Sequence, residues 1–283
     1  MGTLPISRGS VAARTGLGKT TRWAALLALL TVSPFAPALA VDDPVAAFGL
    51  ESGGTGEVVS VIDGDTVVLA DGSEVRLVGI QAPKLPLGRP GFEAWPLADE
   101  AKSALETLTL GQVLSLGYGG RRTDRHGRRL AHLFDGAGTW IQGALLDDGF
   151  ARVYSFADNR ALIPEMLTRE RRARAAGHGI WRHPFYAVRT ADEAGDVIDR
   201  FALVEGVVLD TAVVRGRRYI NFGEDWRTDF AVTFDRRAAP LFEEAGLDIA
   251  DLEGRAVRVR GWVESYNGPL IEITHPEQIE VYP

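Results

Sequence analysis

The chain has no cysteine among its 283 residues, which excludes disulfides and any thiolate-bound metal. A metal would have to be held by oxygen or imidazole. The five histidines, His126, His132, His178, His183 and His275, show no metal-ligand spacing on one helix face. A basic excess is missing too. Arg8, Arg14, Lys19 and Arg22 are the only charged residues of the first forty, so beyond them the chain's 31 basic residues fall to 27 against 38 acidic. Proteins that coat nucleic acid non-specifically carry surplus positive charge to neutralise phosphates, and this composition argues against that class. No repeat of 20–50 residues is evident. One apolar run stands out, from Trp23 to Val32. It follows Arg22 and precedes Ala38-Leu39-Ala40. Basic, apolar and small-x-small in that order reads as a signal peptide over residues 1–40. The run is short for a span and is followed by Pro34 and Pro37. The expectation is an exported protein, periplasmic or extracellular, with no membrane span after cleavage.

What is present divides in two. Residues 41–56 are small, acidic and Gly-rich and read as a linker. From 57 to 186 a strand-rich start gives way to a helix-rich end. Val58–Ile62 and Thr66–Ala70 are β-branched runs around Asp63-Gly64-Asp65, and Asp71-Gly72 is a hairpin turn before Glu74–Ile80. Leu97, Ala101, Ala104, Leu105 and Leu108 fall at helical spacing within 94–108. Strands are expected at 113–116 and 130–134, and helices at 140–149 and 161–176, the last closed by Gly177 and Gly179. Residues 187–200 are polar and aperiodic and read as a second linker. Beyond them, strands fit 202–210, 217–222 and 229–234, a helix fits 240–245, and strands fit 256–263 and 270–273. Three strands, a helix and two strands is the element order of an OB-type barrel. The fold expected is α+β: an OB-type five-stranded barrel with three helices over 57–186, then a second small OB-like β-barrel domain over 201–283.

Four short motifs follow one another in the first unit. Asp63-Gly64-Asp65-Thr66 sits between two strands. Arg76-Leu77-Val78-Gly79-Ile80 runs into Gln81-Ala82-Pro83. Thr123-Asp124-Arg125-His126-Gly127-Arg128 precedes a strand, and Ile180-Trp181 ends the last helix. A lone Asp-Gly-Asp is common in turns. The ordered set resembles the thermonuclease (staphylococcal-nuclease-like) family across roughly residues 57–182.

That resemblance implies phosphodiester hydrolysis, which needs a water, a base for it, and cations to hold the charge growing on phosphorus. In the family, two aspartates, a backbone carbonyl and waters bind calcium, a hard cation that takes oxygen ligands. A glutamate acts on the water, and two arginines grip the phosphate with planar forked donors. By position, Asp65 matches the first calcium aspartate and Asp63 a structural acid of the same turn. Arg76 and Arg128 match the phosphate-gripping arginines. The second calcium aspartate is Gln81 here, and the catalytic glutamate is Lys84. Gln81 keeps an oxygen but no charge. Lys84 has an ordinary pKa near 10.4 and cannot serve as a base near neutrality without a large shift. At ~5 Å and an effective dielectric of ~20, its ammonium opposes each unit of charge on a metal by about 3 kcal/mol. Asp65 has two prospects: a weakened calcium site with Gln81, or an ion pair with Lys84, Arg76 or Arg128. Glu93, in the Pro- and Gly-containing loop after Lys84, is the candidate for a relocated base.

Two arginine clusters deserve separate weighing: 121, 122, 125, 128 and 129 beside His126, and 169, 171, 172 and 174 on the last helix. The first borders the expected phosphate pocket; the second fits a solvated helix face as well as a contact surface. In the acidic second unit, Tyr219, Phe222, Trp226, Phe230, Trp262 and Tyr266 offer aromatic surface of the kind OB folds stack on bases, with core packing the competing use. Trp226 and Tyr266 lie in turns and are the best candidates for exposed contacts. Three functions stay open. One is a secreted protein that binds phosphodiester or nucleic acid through Arg76, Arg128 and Lys84, with calcium-dependent nuclease activity lost or weakened. Another is an active extracellular endonuclease with altered metal use. The third is an envelope module with a vestigial pocket, whose second domain takes a protein partner.

Overall fold

The computed structural model describes residues 43–282. The signal peptide expected over 1–40 lies outside the described residues. A one-turn helix, α1 (Pro44–Ala47), leads into β1 (Glu51–Asp63), β2 (Thr66–Leu69), β3 (Glu74–Leu77) and the two-residue β4 (Ile80–Gln81). Then come α2 (Ala98–Thr109), β5 (Val113–Tyr118), β6 (Arg129–Phe134), α3 (Ile141–Asp147), β7 (Arg152–Val153) and α4 (Ile163–Ala176).

Strands β1, β2, β3, β6 and β5 close into a barrel. The long β1 makes closure possible, pairing with β2 through its second half and with β5 through its first. Pairing is antiparallel except between β3 and β6. With α2, α3 and α4 packed on it, this is the expected five-stranded barrel with three helices. The alternation in β2 and β3 sends Val67, Leu69, Val75 and Leu77 into a core shared with Leu114, Leu116 and Leu133. Helix α2 covers it with Ala101 and Leu105, one helical turn apart and fully buried.

Residues 51–56, expected to be linker, are instead the first half of β1. Their glycines read as flexible but serve close packing. A Cβ on Gly56 would lie 2.7 Å from the Leu69 side chain. Glycine in a strand marks this kind of close approach as readily as it marks a loop.

The remaining strands are β8 (Arg189–Thr190), β9 (Arg200–Val207), β10 (Asp210–Val214), β11 (Arg217–Asn221), β12 (Ala231–Phe234), β13 (Ala256–Ser265), β14 (Pro269–Glu272) and β15 (Ile279–Val281), with helix α5 (Ala239–Glu244) after β12. They build one sheet in the order β10-β11-β12-β14-β13-β9-β8, with β15 also on β13. The strand expected over 202–210 is two strands, because the chain steps across the sheet at Val208 and Leu209. Val208 N–H donates to Arg255 O beside β13, and Leu209 N–H to Asn221 O on β11. Taken as one bent strand, β9 and β10 repeat the connectivity of the first barrel, down to a parallel β12–β14 pair. The sheet has its own core, including Val204, Ile220, Val232, Val259 and Ile271. Phe242 of α5 stacks on Phe234 at 4.0 Å.

The segment 187–200, read as linker, is packed rather than loose. It contains β8 and a 3-10 turn over Ala191–Val197 that buries Ala194 and Val197 in the second core. The two cores meet across buried polar contacts. Arg260 of β13, 1% exposed, pairs with Glu170 of α4 at 3.0 Å and with Glu280 of β15 at 2.6 Å. Arg160 grips Glu277 with two guanidinium nitrogens at 2.8–3.0 Å. Ser155 bonds His275 at 2.7 Å.

Candidate functional site

The turn between β1 and β2 sets one carboxylate deep in the protein. Asp63 Oδ1 accepts from Asp65 N–H at 3.2 Å, an Asx turn that bends the chain back. Gly64 is required there: a Cβ would lie 2.6 Å from Ala82 Cβ and 2.9 Å from Ala101 Cβ. Asp65 is 0% exposed. Its Oδ2 accepts from Ala82 N–H at 2.8 Å and from Lys84 Nζ at 2.7 Å, while its Oδ1 accepts from Lys84 Nζ at 2.9 Å. Arg76 Nη1 lies 3.2 Å from the same Oδ1. Lys84 Nζ is also 3.6 Å from Asp63 Oδ2.

Two carboxylates and two cations therefore form a compact neutral cluster. Burial alone would raise the pKa of Asp65, but Arg76 and Lys84 overcome it and hold the carboxyl at about 2. Asp63 moves the other way: burial, then the neighbouring Asp65 charge, raise it above the usual range. The ion pair open to Asp65 in the sequence is thus realised with Lys84 and Arg76, and Arg128 takes no part.

Gln81 faces elsewhere. It sits on β4 opposite Arg152 on β7. Its Oε1 accepts from Arg152 Nε at 3.0 Å and Nη2 at 2.7 Å. Arg152 is 4% exposed and makes no carboxylate ion pair among the described residues. Its guanidinium lies over the rings of Phe201 at 4.6 Å, Tyr186 at 5.7 Å and Trp95 at 5.8 Å. Burial lowers its pKa to about 10. The Gln81 oxygen considered for a metal is engaged with Arg152, a buried cation that repels a second one. Among the described residues no group of three or more carboxylates and histidines is arranged to hold a metal.

Arg128 is shaped by its own loop. Asp124 Oδ1 accepts from the N–H groups of His126 and Arg128, at 2.8 and 3.0 Å. Asp124 Oδ2 takes the Arg128 fork at 2.8 and 2.7 Å. Gly127 supplies the positive φ, +82°, that the turn needs. Beside this loop lies an open cleft of about 470 Å³. Arg76, Arg121, Arg125 and Arg128 line it, against Asp124 and Asp158, and Tyr154 and Phe156 form its apolar side.

The structure thus brings Arg76 and Arg128 to one cleft and leaves Asp65, Gln81, Lys84 and Glu93 outside its lining. Lys84 and Asp65 pair with each other behind it. Glu93 is exposed on the loop 86–97 and does not line the cleft. That loop is pinned by Trp95, whose N–H donates to Lys84 O at 2.9 Å and whose ring packs on Phe185 at 5.4 Å. The base role considered for Glu93 therefore finds no support in its placement.

The α4 arginines are engaged with carboxylates: Arg169 with Glu165 and Arg172 with Asp147 towards solvent, Arg171 with Glu280 and Arg174 with Glu170 at the buried junction with the second sheet. Trp226 and Tyr266 are exposed, whereas Phe230 is buried. Sequence reasoning missed Arg152, Tyr154 and Phe156. The available signal was the alternation along 152–156, which sends Tyr154 and Phe156 to one side and Ser155 to the other.

Comparison with known proteins covers the first unit. The family described as staphylococcal nuclease homologue matches residues 74–183. Protein ParB of Escherichia coli is 34% identical over 140 residues, 46% of this chain and 73% of that protein. A thermonuclease of Staphylococcus hyicus is 27% identical over 130 residues, 45% of this chain and 75% of that protein. An uncharacterized Bacillus anthracis protein is 32% identical over 136 residues, and this chain spans 60% of its length.

Proposed function

We propose a function from one settled point: the chain belongs to the staphylococcal nuclease homologue family. Membership supports nucleic-acid binding and nuclease chemistry at the level of the family. For this chain we infer a binding protein that holds a phosphodiester of nucleic acid in the Arg76–Arg128 cleft. Its calcium-dependent hydrolysis is lost or strongly weakened. The leader read over residues 1–40 supports an exported location, periplasmic or extracellular, for this binding.

The observation that carries the proposal is the Lys84 ammonium within 2.9 Å of both oxygens of Asp65. Calcium needs several oxygens with charge to spare. Here the one matching aspartate is saturated by Lys84, Arg76 and Ala82 N–H, and the Gln81 oxygen belongs to Arg152. The residues do not fit the ion, and no catalytic step runs through it. Of the cleft groups that could serve as a base, Asp124 is paired with Arg128, Asp158 with Arg121, and His126 accepts from Arg125. With Arg76 already balanced by Asp65, Arg121, Arg125 and Arg128 face Asp124 and Asp158, a surplus of one guanidinium suited to a phosphate. Arg128 would exchange Asp124 for phosphate oxygens, and Arg121 and Arg125 would neutralise the flanking charges.

The test is binding of a labelled single-stranded oligonucleotide, in EDTA and again in calcium, beside a cleavage assay on the same DNA. Equal affinity in both buffers, weakened by Arg128→Ala and by rising salt, is expected. Calcium-dependent cleavage that disappears on Arg76→Ala would refute the proposal.

A further inference from the structure

The cleft does not end at the first barrel. Tyr154 and Phe156, on its apolar side, pack edge to face at 5.1 Å. Tyr154 also meets Phe201 of β9 at 4.9 Å. Its hydroxyl accepts from Nε1 of Trp262, on β13, at 3.1 Å. Trp262 stands directly opposite Phe201 in the β9–β13 ladder. Phe156 is 51% exposed and Trp262 45% exposed. A row of rings thus leaves the arginine-lined cleft and continues onto the second sheet. The junction beneath it is held by the Arg260–Glu170, Arg160–Glu277 and Ser155–His275 contacts, so the row is preformed.

We propose that Phe156, Tyr154 and Trp262 form a stacking track that extends the cleft, and that its occupant is single-stranded nucleic acid. This rests on the phosphodiester reading of the cleft. Bases in a duplex are stacked on each other and cannot lie on a protein ring; unpaired bases can. The charge distribution fits this division of labour. Guanidinium groups are gathered at the cleft, where a phosphate sits. Residues 196–283 carry 10 basic and 17 acidic residues, so the extension holds bases by their faces and not the backbone by its charge. Stacking of this kind changes affinity about 5- to 100-fold per base and responds weakly to salt. Phosphate contacts each add to the salt slope.

The experiment titrates fluorescein-labelled dT2 and dT12 by anisotropy across a range of salt. The proteins are wild type, Trp262→Ala, Trp262→Phe and Arg128→Ala. Trp262→Ala is expected to weaken dT12 about 5- to 100-fold, leave dT2 nearly unchanged and keep the salt slope. Trp262→Phe, which keeps a ring, recovers most of the loss. Arg128→Ala weakens both ligands and lowers the slope by about 1. The track is overturned if Trp262→Ala binds dT12 as wild type does. It is equally overturned if the loss is the same on dT2, which would mean that Tyr154 had merely shifted. If wild type binds neither oligonucleotide, the phosphodiester reading itself fails.

Discussion

Replacing Lys84 with glutamate reverses the charge at the centre of the cluster. Asp65 is buried, and it loses an ammonium at 2.7 Å. Removing one partner of a buried pair costs about 3–5 kcal/mol. Water screens part of that, because the Lys84 side chain is 21% exposed. A new carboxylate ~4 Å from Asp65 would add about 4 kcal/mol of repulsion at an effective dielectric of ~20, but a side chain at the rim can turn outward. A net loss of about 3–5 kcal/mol follows in EDTA, or roughly 6–20 °C of melting temperature for a chain of this size. Three carboxylates, Asp63, Asp65 and the new one, would then face each other with only Arg76 to balance them. That arrangement invites a hard cation. Calcium at ten times its dissociation constant would return about 1.4 kcal/mol. The assay is thermal melting of wild type and Lys84→Glu, each in EDTA and in millimolar calcium. Only the variant should respond to calcium. A variant that melts within about 2 °C of wild type in EDTA, or a wild type that gains as much from calcium, would refute the reasoning.

Three further outcomes follow from the geometry. Gly64→Ala places a methyl 2.6 Å from Ala82 Cβ; overpacking of this kind costs about 1–3 kcal/mol, read as a lower urea midpoint with unchanged slope. Arg260→Ala leaves Glu170 with only Arg174 and Glu280 with only Arg171 and should cost about 3 kcal/mol, the low end for a broken buried pair, measured by the same titration. Burial lowers the pKa of His275 from 6.5 to about 4 and that of His132 from 6.5 to about 3. The unfolded chain then binds protons that the folded one refuses, so stability is complete above about pH 6.5 and falls towards pH 4. His275 alone accounts for about 3 kcal/mol of that fall, and His275→Gln should flatten the slope of unfolding free energy between pH 7 and pH 4.5.

The first barrel was legible because its strands alternate and its turns carry glycine and aspartate where backbone geometry needs them. Asp63-Gly64-Asp65 marked the β1–β2 turn for a reason the structure makes physical, since no side chain fits at Gly64. The linker expectation at 51–56 failed because glycine has two uses. In β1 it lets Leu69 approach the backbone, which composition cannot tell from flexibility. In the second sheet the short edge strands β8 and β15 went unread, and the run at Val208 and Leu209 changes partners without a glycine or proline to announce it.

The site was legible as a set of positions but not as a set of directions. Lys84 points to Asp65, as charge alone suggested. Gln81 was paired with Asp65 by position, yet its amide turns to Arg152, a residue 71 positions away that no motif marks. This changes what a reversal of the two substitutions would do. An aspartate at 81 would arise beside a buried guanidinium now bonded only to a neutral oxygen. Arg152 and a dication would compete for it, at about 3 kcal/mol per unit charge for a ~5 Å separation and a dielectric of ~20. Gln81→Asp with Lys84→Glu should therefore bind calcium less tightly than the same pair joined to Arg152→Met, an aliphatic chain that keeps the packing against Phe201. The calcium-induced rise in melting temperature ranks the two variants without any measure of cleavage. A triple variant that gains nothing over the double one would show that Arg152 does not steer the side chain at 81.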